Sequence, residues 1–420
     1  MTDIKPTAFL HRPLKVVVIG AGISGIQIAH EITSSLPNID LEIRDKNPRV
    51  GGTWHENRYP GCTCDVPSHT YQFSWNPNPE WSKLYAPASE IQQYLEFTVE
   101  KHNLRRFIKL HWKCVSAQWD ESTAQWTTVF ENVQSEETQT VVSDVLIYAV
   151  GRLNNYRLPE VEGIEEFQGD LVHTACWPTA LDVRGKTVVI VGNGASAVQC
   201  VPALQPVVKN IVNIFRGPTW ITPHVFSEDG SIQRDYTRGE IESFKHRPGM
   251  YYNHRMALEQ KLAGGFRGLW KGTSAQAQFT AQARSFMESS IRDPSLQDAL
   301  IPDFEAGCRR FTPGGHYLRT LQESNITPVR DNVVRLTQNA VITQTGKSYP
   351  CDIVVFATGF EPYQPRFPVI GRDGYSLNEC WHPEGPCESY MASMVAGFPN
   401  FFGHIQSANL PRQRISDPGY

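Results

Sequence analysis

Two short aliphatic runs, Lys15-Val-Val-Val-Ile19 and Thr187-Val-Val-Ile-Val191, stand out from the mixed polar and apolar pattern around them. An apolar run without alternation, bounded by glycine, predicts a strand covered on both faces of a parallel sheet. Each run leads into a glycine-rich turn. After the first turn, apolar residues spaced by three and four predict a helix from Ile26 to Leu36. A further strand follows in each case, Asp40 to Arg44 and Asn210 to Phe215. Two closing segments then nearly repeat one another, Asp144-Val-Leu-Ile-Tyr-Ala-Val-Gly151 and Asp352-Ile-Val-Val-Phe-Ala-Thr-Gly359. The pattern predicts an α/β fold made of two similar units, one nested within the other.

Between these landmarks the pattern changes. Ala88 to His102 reads as an amphipathic helix. Trp112 to Trp119 and Gln125 to Phe130 alternate as a hairpin-like meander, with acidic Glu131 to Glu137 as its solvated turn. Ser227 to Leu300 is polar with helical spacing and predicts a helical insertion in the second unit. The expected division is a first domain over 1–150, a connector over 151–178, and a second domain over 179–226. The insertion takes 227–305, the second domain resumes over 306–360, and the first over 361–420.

Composition narrows the partners. The 420 residues exceed one ordinary core. A formal net charge of −4 gives no basic footprint, so neither nucleic acid nor an anionic membrane surface is an expected partner. No apolar run approaches the roughly 18 residues of a membrane span, and Met1-Thr-Asp-Ile-Lys-Pro6 lacks the apolar core of a signal peptide. Nine scattered cysteines, with Cys62 and Cys64 as a C-x-C and no C-x-x-C, point to free thiols rather than disulfides or a metal site. The expected compartment is the cytoplasm.

The chemistry sits in the turns. Gly20-Ala-Gly22-Ile-Ser-Gly25 follows the first strand. Gly20 permits the turn, Gly22 lets the backbone approach a pyrophosphate, and Gly25 lets the helix pack on the strand. The phosphates then meet the free N–H groups at the helix start. Asp45 ends the next strand, about 25 residues on. A carboxylate there accepts hydrogen bonds from ribose hydroxyls and favours an unphosphorylated adenosine ribose. The second turn, Gly192-Asn193-Gly194-Ala195-Ser196-Ala197 with Val198, has alanine in third place, which still allows close packing. Its following strand ends in Phe215 and Arg216, and an arginine there can pair with a 2′-phosphate. This contrast predicts two Rossmann-like sites, FAD at the first and NADPH at the second.

Two further stretches carry a resemblance. Phe167-Gln-Gly169-Asp-Leu-Val-His173-Thr-Ala-Cys-Trp177-Pro178 reads by itself as a connector. Gly51-Gly-Thr53-Trp54 and Tyr59-Pro-Gly61-Cys-Thr63-Cys-Asp65-Val66-Pro-Ser-His-Thr-Tyr71 read as a long loop of the kind that lines a ligand site. The spacings F-x-G-x-x-x-H-x-x-x-W-P, G-G-x-W and Y-P-G-x-x-x-D resemble the signatures of type I Baeyer–Villiger flavin monooxygenases, particularly fungal members of secondary metabolism. The resemblance implies that Thr53, Trp54, Asp65, Val66 and Tyr71 touch FAD and that Thr63 touches NADP. It further implies a catalytic Arg310 held by Asp65, an Arg309 on the NADP phosphate, and a His173 that couples cofactor movement to catalysis. Tyr59 reads as packing. The implied reaction consumes NADPH and O2 and converts a ketone to an ester or lactone.

Related N- or S-hydroxylating flavin monooxygenases usually carry Phe or Tyr where this chain has Trp177, and they remain the alternative chemistry. Thioredoxin-reductase-like chemistry needs a reactive cysteine pair, absent here. After Phe402 the match to the family stops, where members continue with a helix aimed at the flavin and a long tail. That ending implies either a member of reduced competence, in the extreme an inactive nucleotide-binding remnant, or an incomplete version of a longer sequence.

Overall fold

The computed structural model describes residues 12–156, 158–223, 234–307, 311–362, 364–381 and 389–403. The chain divides into two compact units. One comprises Met1–His55, Gln92–Asn155 and Phe360–Tyr420, the other Glu56–Ile91 and Tyr156–Gly359.

In the first unit, β1 (Leu14–Ile19) leads through α1 (Ile23–Ser35) to β2 (Ile39–Arg44), and β3 (Val145–Tyr148) returns beside β1. The parallel sheet runs Phe401–Gly403, β3, β1, β2, Ile108–Lys109. Val17 of β1 stands opposite both Glu42 and Leu146, so β1 is paired along both edges. Its central residues Val17 and Val18 have no exposed surface, which is why the run shows no alternation. The meander is longer than its pattern suggested. Trp112–Asp120, Gln125–Asn132 and Thr138–Ser143 form an antiparallel sheet, joined by the short parallel strand Val369–Ile370. Its Trp119, Trp126 and Phe130 share one core with Val17, Ile19, Leu146 and Phe401.

The second unit contains β4 (Asp170–His173), β5 (Thr187–Val191), α2 (Ala195–Leu204) and β6 (Asn210–Phe215). The helices α3 (Arg238–His246), α4 (Met250–Gly264) and α5 (Ser274–Ser290) follow, and β7 (Ile353–Phe356) completes the set. Its parallel sheet runs Ile326–Arg330, β6, β5, β7, β4. On one face Val188 and Ile190 pack with Val198 and Val201 of α2 and Met287 of α5. On the other, Val189, Ile214 and Val354 pack with Leu336 and Val341 of an antiparallel sheet that the hydrophobic pattern did not announce.

Two other features differ from the sequence expectation. The stretch read as a connector supplies β4, the sheet's edge strand, with His173 opposite Phe356. Four residues flanked by Asp and His carry little strand signal, and the pairing with a fully buried neighbour makes the strand. Residues 56–91, expected in the first domain, group with the second unit. The region expected to be helical contains helices from Arg238 to Leu300 among its described residues.

The repeat noted in the sequence has a mechanical counterpart. Asp144 Oδ2 accepts from the Lys15 N–H at 2.8 Å, and Asp352 Oδ2 accepts from the Thr187 N–H at 2.8 Å. In each unit the acid before the closing strand thus satisfies a donor at the start of the first strand. The two Arg12 contacts at 2.6 Å hold the Asp144 carboxyl well below the usual carboxylate range. Among the described residues no helix is long and apolar enough to cross a membrane, and no metal-binding cluster occurs. Cys62, Cys64, Cys114, Cys176, Cys200, Cys351 and Cys380 are free thiols.

Candidate functional site

In the first unit, Gly20 turns the chain at φ 109°, and a Cβ there would lie 2.5 Å from the Ala149 carbonyl oxygen. A Cβ at Gly25 would lie 2.0 Å from the Gly20 oxygen. Both positions therefore require glycine, for the turn and for the close approach of α1. Gly22 is the N-cap of α1 and offers no side-chain cap, and no acidic residue occupies the first turn. The leading N–H groups of a 13-residue helix are thus available to an anion. Gly52, at φ 54°, brings a second backbone alongside: a Cβ there would sit 3.0 Å from the Gly22 Cα.

Asp45 is buried at the end of β2. Its Oδ2 accepts from the Ala21 N–H at 2.7 Å and its Oδ1 from the Asn47 N–H at 2.8 Å. The carboxylate therefore braces the glycine turn at the end of β2, the place from which an acid can accept from a ribose hydroxyl. Gln92 Nε2 donates to the Val50 carbonyl at 2.7 Å, which fixes the approach to Thr53 and Trp54. Trp54 is buried and Thr53 exposed.

The second unit repeats the arrangement with other residues. Gly192 has φ 121°, and a Cβ there would lie 2.6 Å from the Ala357 carbonyl oxygen. Gly194 caps α2 without a side-chain bond, and no protein atom lies within 4 Å of where its Cβ would be. Gly194 and Ala195 face open space, Ser196 is half-buried, and Ala197 and Val198 pack inward. Asn193 Nδ2 donates to the Gly217 carbonyl at 2.8 Å, tying the turn to the segment after β6. Phe215 is buried, whereas Arg216 is exposed and makes no ion pair with any described residue. Residues of both turns fit a dinucleotide: each leaves a cradle that a Cβ would fill, at the uncapped start of a helix.

Sequence reasoning missed the residues that hold the second turn. Asn213, in the middle of β6, donates to the carbonyls of Ile190 and Gly192 at 3.0 and 2.8 Å. A lone Asn inside an apolar strand was the available signal. Gln199 of α2 was also missed. Its Oε1 accepts from the Tyr59 hydroxyl at 2.7 Å and the Thr63 N–H at 3.4 Å, while Nε2 donates to the Thr63 carbonyl at 3.1 Å. A Cβ at Gly61, φ 81°, would lie 2.4 Å from the Gln199 carbonyl oxygen. The Y-P-G segment is thereby clamped on α2, and Tyr59 both packs and bonds. Burial pushes the Cys62 thiol beside it up to about 11.

Farther along the same loop, Asp65, Val66 and Tyr71 are half-buried. His69 is fully buried, with the rings of Tyr236, Phe244, Tyr251 and His254 centred 4.7 to 5.4 Å away. The insertion helices α3 and α4 thus close over the loop. Burial drives His69 down to about 3.

The F-x-G-x-x-x-H-x-x-x-W-P residues are built into the second unit. Phe167 packs on one face of the sheet and Trp177 on the other. A Cβ at Gly169 would lie 2.2 Å from the Asp352 carbonyl oxygen. His173 is buried, accepts from the Ala175 N–H on Nδ1 at 3.1 Å and stacks on Tyr156 at 4.5 Å. Burial lowers its pKa to about 4, against a hydrogen bond to the Gly359 backbone. Arg309 and Arg310 lie outside the described residues.

The NAD(P)-binding Rossmann-like domain family matches residues 18–88. The FAD-binding monooxygenase tazF of Aspergillus terreus is 36% identical over 405 residues, covering 94% of this chain and 71% of its own length. A Baeyer–Villiger monooxygenase of Pseudomonas aeruginosa is 33% identical, over 95% of this chain and 73% of that protein. The chain belongs to the Baeyer–Villiger flavin monooxygenases. A solved member, cyclohexanone monooxygenase from Rhodococcus bound to NADP+, superimposes with a TM-score of 0.78 at 27% identity, over 93% of this chain and 79% of that one. Another relative is longer still, and the chain spans 64% of the FAD-binding monooxygenase moxY of Dothistroma septosporum.

Proposed function

We propose that this chain binds FAD at the Gly20–Gly25 turn and NADPH at the Gly192–Ala197 turn, and inserts one oxygen atom beside a ketone carbonyl. The overall change is ketone + NADPH + H+ + O2 to ester or lactone + NADP+ + water. One observation supports the assignment of the two nucleotides: the first turn is braced by the carboxylate of Asp45, while the strand after the second ends at the exposed guanidinium of Arg216, which makes no ion pair with any described residue. A carboxylate repels a 2′-phosphate, and a free guanidinium attracts one.

FAD, when bound, supplies the two-electron chemistry and the activation of O2. The chain's own residues bind and orient. The N–H groups of α1 and α2 take the two pyrophosphates, with Gly22, Gly25, Thr53, Trp54, Val66 and Tyr71 on the FAD side. Thr63, Asn193, Ser196, Phe215, Arg216 and Arg309 serve NADPH. Arg310 steadies negative charge at the reacting centre and Asp65 orients it. His173 is neutral at physiological pH, so its part is positional. The resemblance of the motifs to fungal members supports a place in secondary metabolism, the similarity to tazF of Aspergillus terreus favours a fungal relationship, and the free thiols of the described residues support a cytoplasmic location. The test is direct. The purified protein should be yellow, consume NADPH with ketone-dependent O2 uptake and yield an ester. A colourless protein, or an N-oxide as the product, would refute the reading.

A further inference from the structure

The net charge of the chain conceals a local one. From Gln260 to Gly272, every residue except Gly268 is exposed. This tip, formed by the end of α4 and the turn Gly265–Leu269, contains Lys261, Arg267 and Lys271 and no acidic residue. The same tip presents apolar side chains to water: Phe266 is 59% exposed, Trp270 56%, Leu269 41% and Leu262 37%.

The tip is held, not loose. Gly268 is buried, and a Cβ there would lie 3.3 Å from Phe279 of α5. The Thr273 hydroxyl donates to the Trp270 carbonyl at 2.8 Å, and the Gly272 N–H donates to Gln276 Oε1 at 2.8 Å. Phe266 and Trp270 meet edge to face at 6.3 Å. Scattered exposed apolar residues need no explanation, but a clustered set on a braced tip that also carries Arg267 and Lys271 does.

We propose that this tip docks the protein peripherally on an anionic membrane surface. Trp and Phe are the side chains that settle at the headgroup boundary, while Lys and Arg beside them meet anionic lipid. Single-stranded nucleic acid also attracts aromatic and basic residues, but it uses rings for stacking. The aliphatic Leu262 and Leu269 suit acyl chains and give no stacking face. Docking of this kind inserts side chains only and needs no spanning helix.

The test uses the full chain and two kinds of vesicle, one of phosphatidylcholine alone and one with about three parts in ten phosphatidylserine. The protein should co-sediment with the second and not the first, and added salt should release it. A Phe266→Ser, Trp270→Ser double variant should bind at least roughly tenfold more weakly, and Arg267→Gln with Lys271→Gln should lose the preference for phosphatidylserine. The far-UV circular dichroism and denaturant midpoint should be unchanged in both variants, which shows that they fold. The inference fails if the wild-type chain stays in the supernatant with both vesicles, or if the variants sediment like it. It fails equally if the double variant changes oligomeric state, since the face would then belong to a second copy. Retention on single-stranded nucleic acid in place of vesicles would also overturn it. None of these outcomes depends on the monooxygenase reading.

Discussion

The hydroxyl of Tyr317 donates to Oδ1 of Asn213 across 2.7 Å, and neither residue has any exposed surface. Asn213 spends its two donors on the carbonyls of Ile190 and Gly192, so Tyr317 completes a chain that ends at the second glycine turn, the proposed NADPH site. Tyr317→Phe should leave a buried acceptor unsatisfied, at a cost of about 1–3 kcal/mol. Denaturant melts should show that loss. NADPH affinity should fall with it, whereas FAD content should not change.

Gln199 joins the Thr63 segment to α2 through four contacts. Gln199→Leu keeps the volume and removes all four. The expected result is a raised KM for NADPH and more hydrogen peroxide released per NADPH consumed, because Asp65 loses its fixed approach. A purely structural loss would lower stability without changing that ratio.

On the proposed assignment, Arg216 decides between nicotinamide donors. In Arg216→Ala, the KM for NADPH should rise about 10- to 100-fold, the range set by a lost charged hydrogen bond of about 1.5–3 kcal/mol. The KM for NADH should stay near its wild-type value. Equal changes for both would place the guanidinium away from the 2′-phosphate.

Arg310→Ala should leave NADPH-dependent flavin bleaching measurable under nitrogen and reduce ester formation by at least about 10²–10³-fold, the loss seen when a charge-stabilising donor is removed. Normal ester yield would exclude Arg310 from the reaction.

His173 gives the pH dependence. Its folded pKa is lowered to about 4, while the unfolded value is near 6.5. Between those values the unfolded chain holds the extra proton, so stability falls as pH drops from about 6.5 to 4. The loss from this residue should be at most about 3 kcal/mol and stop below its folded pKa. His173→Gln removes the titration. Denaturant midpoints of variant and wild type should therefore converge as the pH falls through that window.

Much of the fold is legible in local pattern. Two glycine turns, the strands before them and the acid or arginine after them can be read within windows of about 30 residues, because helix start, turn and strand are local events. What could not be read is held by long-range bonds. Gln199 meets Tyr59 and Thr63 across some 140 positions, and Tyr317 meets Asn213 across 104. Nothing in the neighbourhood of Gln199 distinguishes it from a solvated helix residue. The strand at His173 was hidden for a similar reason: its four residues become a strand only through pairing with β7.

The interleaving of the two units has a consequence for biosynthesis. The edge strand Phe401–Gly403 pairs with β3, and Phe401 sits in the core with Val17. A nascent chain leaving the ribosome has therefore exposed all of Glu56–Ile91 and Tyr156–Gly359 before the last strand of the earlier sheet is made. The part synthesised first is finished last, and its uncovered sheet edge is what a chaperone would have to shield in the meantime.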